Sequence, residues 1–188
     1  MQIRQLVRDD AAPYHALRLR MLRMFPDAFN SSYEEDSQKP LAWAEQRIVP
    51  DAAAPHDFVL GAFAGTGELI GSVGLAVESR MKQRHKALLF GMYVAPEAGS
   101  RGVGRALLTA CLERARAIPG LEQVNLSVTA TNDRARRLYE SAGFVPFGVE
   151  ERAIKVGAAY FAKAHMVLRF AAGALRSSDN RDCRDGEP

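Results

Sequence analysis

Apolar residues near the N-terminus follow first the period of a strand and then the period of a helix. Ile3 to Val7 predicts a short strand. Two aspartates then offer an N-cap, and apolar residues at helical spacing predict a helix that ends at Pro26. The polar stretch from Asn30 to Pro40 predicts a loop, and the next apolar pattern predicts a second helix from Leu41 to Ile48.

The middle of the chain contains apolar runs that are short enough to be strands. Phe58 to Ala64 and Leu69 to Val77 are joined by Gly65-Thr66-Gly67, which is typical of a hairpin. Ala87 to Val94 predicts a third strand in this group. A glycine-rich turn follows, and the residues from Gly102 to Ala117 predict a helix.

The C-terminal part predicts one more strand and helix, followed by two strands. Val124 to Val128 predicts the strand, and Asn132 to Ser141 predicts a helix that stops before a glycine. Phe144 to Val149 and Tyr160 to Phe170 predict the last two strands. The order β-α-α-β-β-β-α-β-α-β-β predicts an α/β (α+β) fold with a central mixed, mostly antiparallel sheet flanked by helices.

Composition narrows the class of protein. The 188 residues suggest one domain over residues 1–170, followed by a polar tail over 171–188 that we expect to be disordered. The net charge of +3 is too small to suggest a nucleic-acid partner. We expect a cytoplasmic protein without a membrane partner, because no signal-peptide core or long apolar run is found in the sequence. We expect no disulfide framework from Cys111 and Cys183, which fits a reducing compartment.

The turn after Ala87–Val94 is typical of a phosphate site, because it joins a strand to a helix N-terminus through several glycines. Gly99 and Gly104 have the spacing of a Walker-type loop, but Arg105 and Ala106 replace its lysine and hydroxyl. A dinucleotide fingerprint would need its third small residue elsewhere. Taken alone, the turn is equally compatible with a helix start that binds no ligand.

A second motif decides between these interpretations. Thr131 to Phe144 contains Asn132, Ala135, Leu138-Tyr139 and Gly143-Phe144 at the spacing of a known signature. This segment closely resembles the second signature of the GNAT superfamily of acetyl-CoA-dependent N-acetyltransferases. The stretch from Val94 through the glycine turn resembles the first signature, and the resemblance extends from about Ile3 to Phe170. The resemblance therefore implies a GNAT-like three-layer fold.

The resemblance also implies a reaction, namely direct transfer of an acetyl group from acetyl-CoA to a primary amine of a small molecule or protein. It implies that the pantetheine arm runs between Ala87–Val94 and Val124–Val128, and that Tyr139 protonates the CoA thiolate. The alternative for Tyr139 is a core residue, and the alternative for Asn132 is an N-cap. The implied cofactor-binding residues are Met92, Tyr93, Val94, Gly99, Ser100, Arg101, Gly102, Val103, Gly104, Arg105, Asn132 and Ala135.

One departure from the family pattern lies in the loop. Gly99 stands where the family usually has Gln or Arg, so that a side-chain contact to the cofactor is lost. Arg101 or Arg105 could compensate through charge. Backbone N–H groups hold most of the pyrophosphate in the family, so we expect cofactor binding to be retained.

A second departure concerns the general base. Many relatives carry a glutamate on the central strand, whereas Leu88 to Met92 contains no acid. The candidate general bases are Glu78 acting through water, Glu34, Glu35 and His85. The sequence does not distinguish between them. This departure keeps a non-catalytic acyl-CoA-binding sensor as the alternative function, and an interaction module without CoA as a third.

The resemblance implies an acceptor site built from the first two helices with their loop, Phe25 to Trp43, and from the last strands, Arg152 to Tyr160. The candidate substrate-binding residues are Ser32, Tyr33, Glu34 and Glu78. Hydroxyls beside carboxylates suit a cationic amine such as a polyamine, an amino acid or a protein N-terminus, although the same run is also typical of an ordinary polar loop. No metal is expected. The oligomeric state is not determined by the sequence, and a homodimer is one option.

Overall fold

A single sheet of seven strands organises the computed structural model, which describes residues 1–99 and 101–170. The strands are β1 (Gln2–Gln5), β2 (Phe58–Phe63), β3 (Leu69–Val77), β4 (Lys86–Val94), β5 (Gln123–Thr129), β6 (Val145–Val156) and β7 (Ala159–Arg169). They lie in the order β1-β2-β3-β4-β5-β7-β6. Only the neighbours β4 and β5 run parallel. The predicted mixed, mostly antiparallel sheet is therefore confirmed, whereas the predicted disordered tail lies outside the described residues.

Helices cover both faces of this sheet. They are α1 (Ala11–Met24), α2 (Tyr33–Ser37), α3 (Leu41–Ile48), α4 (Val103–Arg116) and α5 (Asp133–Ser141). The core on one face contains Leu107 and Leu108 of α4, and the core on the other contains Met21 of α1 and Ile48 of α3. The result is the three-layer, helix–sheet–helix arrangement that the family resemblance implied.

Helix α2 corrects one expectation, because Asn30 to Pro40 was predicted as loop throughout. The Ser32 hydroxyl accepts a hydrogen bond from the Glu35 backbone N–H at 3.1 Å, and the Glu35 carboxylate accepts from the Ser32 N–H at 3.3 Å. This reciprocal capping satisfies two backbone donors that a helix start otherwise leaves unpaired. The polar composition of this stretch therefore did not indicate the short, capped helix that it contains.

Strand β6 corrects another expectation, since it continues to Val156 rather than ending at Val149. Its register against β7 shifts between Glu150 and Ile154, where Arg152 has a φ of 56°. A bulge breaks the alternation of apolar and polar residues while the strand continues. The sequence pattern therefore ended before the strand did.

The central strand β4 carries the irregularity that shapes the site. Four residues of β4, Phe90 to Tyr93, lie opposite three residues of β3, Ser72 to Gly74. The extra residue forms a bulge at Gly91, whose φ of 60° is in the left-handed region that favours glycine. The β4–β5 pairing is confined to Lys86–Leu88 against Gln123–Asn125, so the two strands separate after that point.

Candidate active site

A cleft of about 230 Å³ opens where β4 and β5 stop pairing. Phe90, Gly91 and Met92 line it from β4, and Leu126 to Thr129 line it from β5. Helix α5 contributes one wall and the loop between α1 and α2 contributes the opposite one. The cleft therefore connects the two faces of the sheet through a gap between parallel strands.

Tyr139 lies at the α5 side of this cleft. Its side chain is buried and its ring packs edge-on against Phe144, with 5.9 Å between ring centroids. Burial, together with the neighbouring Cys111, raises the pKa of Tyr139 above its usual value. The phenol is therefore protonated at neutral pH, which is the state that a proton donor requires.

Helix α5 is held at its start by Asn132, whose side-chain oxygen accepts a hydrogen bond from the Ala135 N–H at 3.1 Å. Both residues also line the cleft. The N-cap predicted as an alternative role for Asn132 is confirmed, and its position at the cleft is compatible with the cofactor role as well.

The loop before α4 presents backbone N–H groups at a helix start. Gly102 is the N-cap of α4 with a φ of 75°, and as a glycine it has no side chain that could cap this helix. Nothing lies within 4 Å of the position that a Cβ on Gly102 would take, so glycine is favoured there by conformation and not by space. The uncapped N–H groups and the helix dipole make this end of α4 suitable for an anion.

Gly99 packs closely in the same loop. A Cβ on Gly99 would lie 2.9 Å from the Pro96 carbonyl oxygen, so a side chain would force the loop to shift. It would also lie 3.4 Å from one terminal nitrogen of Arg134 in α5. The guanidinium that lies beside Gly99 thus comes from Arg134, which sequence reasoning did not select. Ser100, a predicted cofactor residue, lies outside the described residues, and Arg101 and Arg105 are exposed.

We expect the Arg134→Ala variant to bind acetyl-CoA about three- to tenfold more weakly, because a charge-assisted contact to phosphate would be lost. Isothermal titration measures the change in Kd. Arg116→Ala is the matched control, since Arg116 is exposed at the far end of α4 and its Kd should match that of the unmodified protein. Equal affinity for Arg134→Ala and the control would show that Arg134 does not contact the cofactor.

The loop that follows α1 is tied to the ends of β5 and β7 by buried polar groups. The Lys163 ammonium donates hydrogen bonds to the Ala28 carbonyl at 2.7 Å and to the Thr129 hydroxyl at 3.1 Å. That hydroxyl donates to the Asp27 carbonyl at 2.7 Å. Burial lowers the pKa of Lys163. These bonds fix the backbone just before Asn30, where the loop borders the cleft.

The predicted acceptor residues lie away from the cleft lining. Ser32 caps α2, Tyr33 packs under Arg23, and Glu34 and Glu78 are exposed. Their neighbours Asn30 and Ser31 line the cleft instead. Among residues 1–99 and 101–170, no aspartate, glutamate or histidine lines it, and this includes the candidate bases Glu35 and His85.

The predicted strand residues divide between the cleft and the cores. Met92 lines the cleft, whereas Tyr93 and Val94 do not. The Tyr93 side chain is buried in the core under α1 and α3, and Val94 packs against the core under α4. Any contribution of Tyr93 and Val94 at the cleft would therefore come through the backbone.

The fold and the cleft define an acetyltransferase scaffold in which a parallel strand pair separates beside a glycine loop. Residues 18–144 match the Acetyltransferase (GNAT) family, and the chain belongs to that family. The resemblance inferred from the two signatures is thereby confirmed. No helix among the described residues has the length and apolar character needed to cross a membrane.

Two characterised relatives share part of the chain. The N-alpha-acetyltransferase RimI of Mycobacterium tuberculosis is 34% identical over 118 residues, which cover 62% of this chain and 70% of RimI. Mycothiol acetyltransferase of Beutenbergia cavernae is 39% identical over 85 residues, or 45% of this chain. The matched segment spans only 27% of the mycothiol enzyme.

Solved structures agree on the fold over nearly the whole chain. An acetyltransferase of the GNAT family from Streptococcus pneumoniae superposes with a TM-score of 0.76 at 24% identity, covering 90% of this chain and 99% of that one. The yncA protein of Salmonella typhimurium, solved with its cofactor acetyl-CoA, gives a TM-score of 0.75 at 20% identity. The alignment with yncA covers 96% of this chain and 99% of that protein.

Proposed function

We propose that this protein transfers the acetyl group of acetyl-CoA to a primary amine of a small molecule or protein, with Tyr139 as the proton donor. The observation that carries the proposal is the position of the Tyr139 phenol at a gap between β4 and β5, in a chain of the GNAT family. That family uses acetyl-CoA as its acetyl donor.

The residues of this chain fit acetyl-CoA at three points. The uncapped N–H groups of α4 suit its pyrophosphate, and Arg134 lies close enough to the loop to add positive charge. The separation of β4 from β5 leaves strand edges to which an extended pantetheine arm could hydrogen bond. Acetyl-CoA supplies an activated thioester, so the protein does not need to activate the acetyl group itself.

The chain's own contribution to the reaction would be orientation and one proton. The bulge at Gly91 releases part of the β4 backbone from its pairing with β3 beside the cleft. A backbone N–H there, or at Tyr93 or Val94, would orient the acetyl carbonyl and stabilise charge on its oxygen. The Tyr139 hydroxyl would donate its proton to the departing CoA sulfur.

Deprotonation of the amine would fall to the solvent, because no carboxylate or imidazole from the described residues lines the cleft. We therefore expect kcat/KM to rise about tenfold per pH unit until the pH reaches the pKa of the acceptor amine itself. The measurement compares two acceptor amines of different pKa. A plateau at the same pH for both amines would instead reveal a general base on the protein.

Release of free thiol from acetyl-CoA in the presence of an amine panel tests the proposed activity. Amine-dependent thiol release, with acetylated product, is the expected result. A rise in melting temperature with acetyl-CoA but no turnover with any amine would favour a non-catalytic acyl-CoA sensor. The absence of both effects would contradict the use of acetyl-CoA altogether.

A further inference from the structure

The charges that line the acceptor side of the cleft all have the same sign. Arg18, Arg47 and Lys163 contribute to the lining, and no carboxylate does so within residues 1–99 and 101–170. An amine acceptor must enter this side as a cation or as a neutral amine. A cleft lined only by cations disfavours a polycation, since like charges brought together in a partly buried site repel each other.

Arg18 is already paired within the protein. Its Nε donates to the buried Asp36 carboxylate at 2.5 Å, and one terminal nitrogen donates to the Ser31 hydroxyl at 3.0 Å. Asp36 also accepts from Lys39 at 2.5 Å. One carboxylate thus serves both Arg18 and Lys39, and the hydrogen bonds of Arg18 hold α2 and Ser31 against α1.

Arg47 differs, because it is held in place without a counter-ion. Its Nε donates to the Tyr14 hydroxyl at 3.1 Å, and its guanidinium lies 4.7 Å from the centre of the Phe90 ring and 5.4 Å from that of Trp43. No carboxylate of the described residues forms a salt bridge with Arg47. Both terminal nitrogens thus remain available in a fork whose planar geometry matches a carboxylate.

Lys163 adds a second cation to the cleft lining, on which the charge of Asp27 acts without forming a salt bridge. Two of its three N–H donors are used by Ala28 and Thr129, which leaves one. Lys163 is only 3% exposed, and no salt bridge to it is found in the part of the chain that the structure describes. A buried ammonium without a directly paired anion is costly, and a bound carboxylate would remove part of that cost.

From these contacts we infer that the acceptor is a small amino-carboxylate, such as a free α-amino acid, whose carboxylate binds between Arg47 and Lys163. Phe90 lies directly before the β4 bulge, so a carboxylate held by Arg47 above its ring brings the amine of the same small molecule to the bulge. Asn30 and Ser31 add neutral polar groups beside it. This inference rests on the proposed acetyl transfer and narrows its acceptor from any amine to one that also carries an anion.

The experiment measures kcat/KM for the twenty protein amino acids, for their C-terminal amides and for spermidine. We expect at least one amino acid to exceed both its own amide and spermidine by about 10- to 100-fold, since a charge-assisted hydrogen-bond pair is lost in the amide. In Arg47→Gln this preference for acid over amide should fall to near unity, because kcat/KM should fall much more for the acid than for its amide. Arg47→Lys should restore part of the preference.

Arg8→Gln is the matched control, since Arg8 pairs with Glu45 on α3 but lies outside the cleft, and it should keep the full preference. A kcat/KM for the amides or for spermidine equal to that for the amino acids would overturn the inference while leaving acetyl transfer intact. An equal loss of acid and amide turnover in Arg47→Gln would overturn it too. If none of these amines is acetylated, the inference fails, and thiol release with the wider amine panel decides separately on the proposed function.

Discussion

Replacing Tyr139 with phenylalanine is expected to lower kcat by about 100- to 10,000-fold, the range associated with the loss of a general acid. The hydroxyl is the only group removed. Burial and the neighbouring Cys111, and not a hydrogen bond, raise the pKa of Tyr139. The ring would keep its buried contact with Phe144. The melting temperature and the Kd for acetyl-CoA should therefore remain close to those of the unmodified protein.

Tyr160→Phe is the matched control, because it removes a phenol hydroxyl from an exposed side chain of β7. It should leave kcat unchanged. Single-turnover measurements would show whether the loss in Tyr139→Phe lies in the chemical step. Turnover of Tyr139→Phe within about twofold of the unmodified protein would mean that the phenol is a packing residue and that the proton comes from elsewhere.

The second large effect concerns stability. Asp36 is fully buried and pairs with both Arg18 and Lys39. Replacing it with asparagine would leave the buried Arg18 guanidinium without its counter-ion, and we expect the free energy of unfolding to fall by about 3–5 kcal/mol. Urea denaturation with an unchanged m-value measures this loss.

Glu97→Gln provides the comparison, because it removes the exposed ion pair between Arg20 and Glu97. That change should cost less than about 1 kcal/mol. Similar losses for the two variants would contradict the importance given to the buried pair. Because Arg18 also holds Ser31, Asp36→Asn should loosen the wall of the acceptor side as well.

The same carboxyl predicts a pH dependence. Burial acts to raise the pKa of Asp36, but the hydrogen bonds and charges of Lys39 and Arg18 outweigh burial and hold it below its usual value of 3.8. A carboxyl with a lowered folded-state pKa stabilises the fold above its unfolded pKa and loses that contribution as the pH falls through the folded value. The contribution of Asp36 should thus be complete at neutral pH and decline below about pH 4.

Local signals in the sequence identified most of the fold, the glycine turn before α4 and the N-cap of α5. The positions of the strands followed from apolar runs, and the boundaries of α3 agreed to the residue. Gly102 and Asn132 were predictable because a glycine turn and an N-cap are properties of adjacent residues. The predicted roles of Tyr139 and the loop in binding and catalysis stay predictions.

The acceptor side was harder to predict from the sequence, because it is assembled from segments that lie far apart in the chain. Arg47 reaches the cleft from α3 only because Tyr14 and Phe90 hold its guanidinium there. Lys163 bonds to a carbonyl 135 residues earlier in the chain. No periodicity or motif in the sequence indicates such contacts. The one available signal was a lysine within the apolar strand β7, which indicates a buried, hydrogen-bonded side chain.

A structure of this protein with acetyl-CoA tests the central claim most directly. We predict the pyrophosphate at the N-terminus of α4, the pantetheine arm in the gap between β4 and β5, and the thioester sulfur within hydrogen-bond distance of the Tyr139 hydroxyl. Acetyl-CoA bound elsewhere, or a sulfur out of reach of that hydroxyl, would contradict the account.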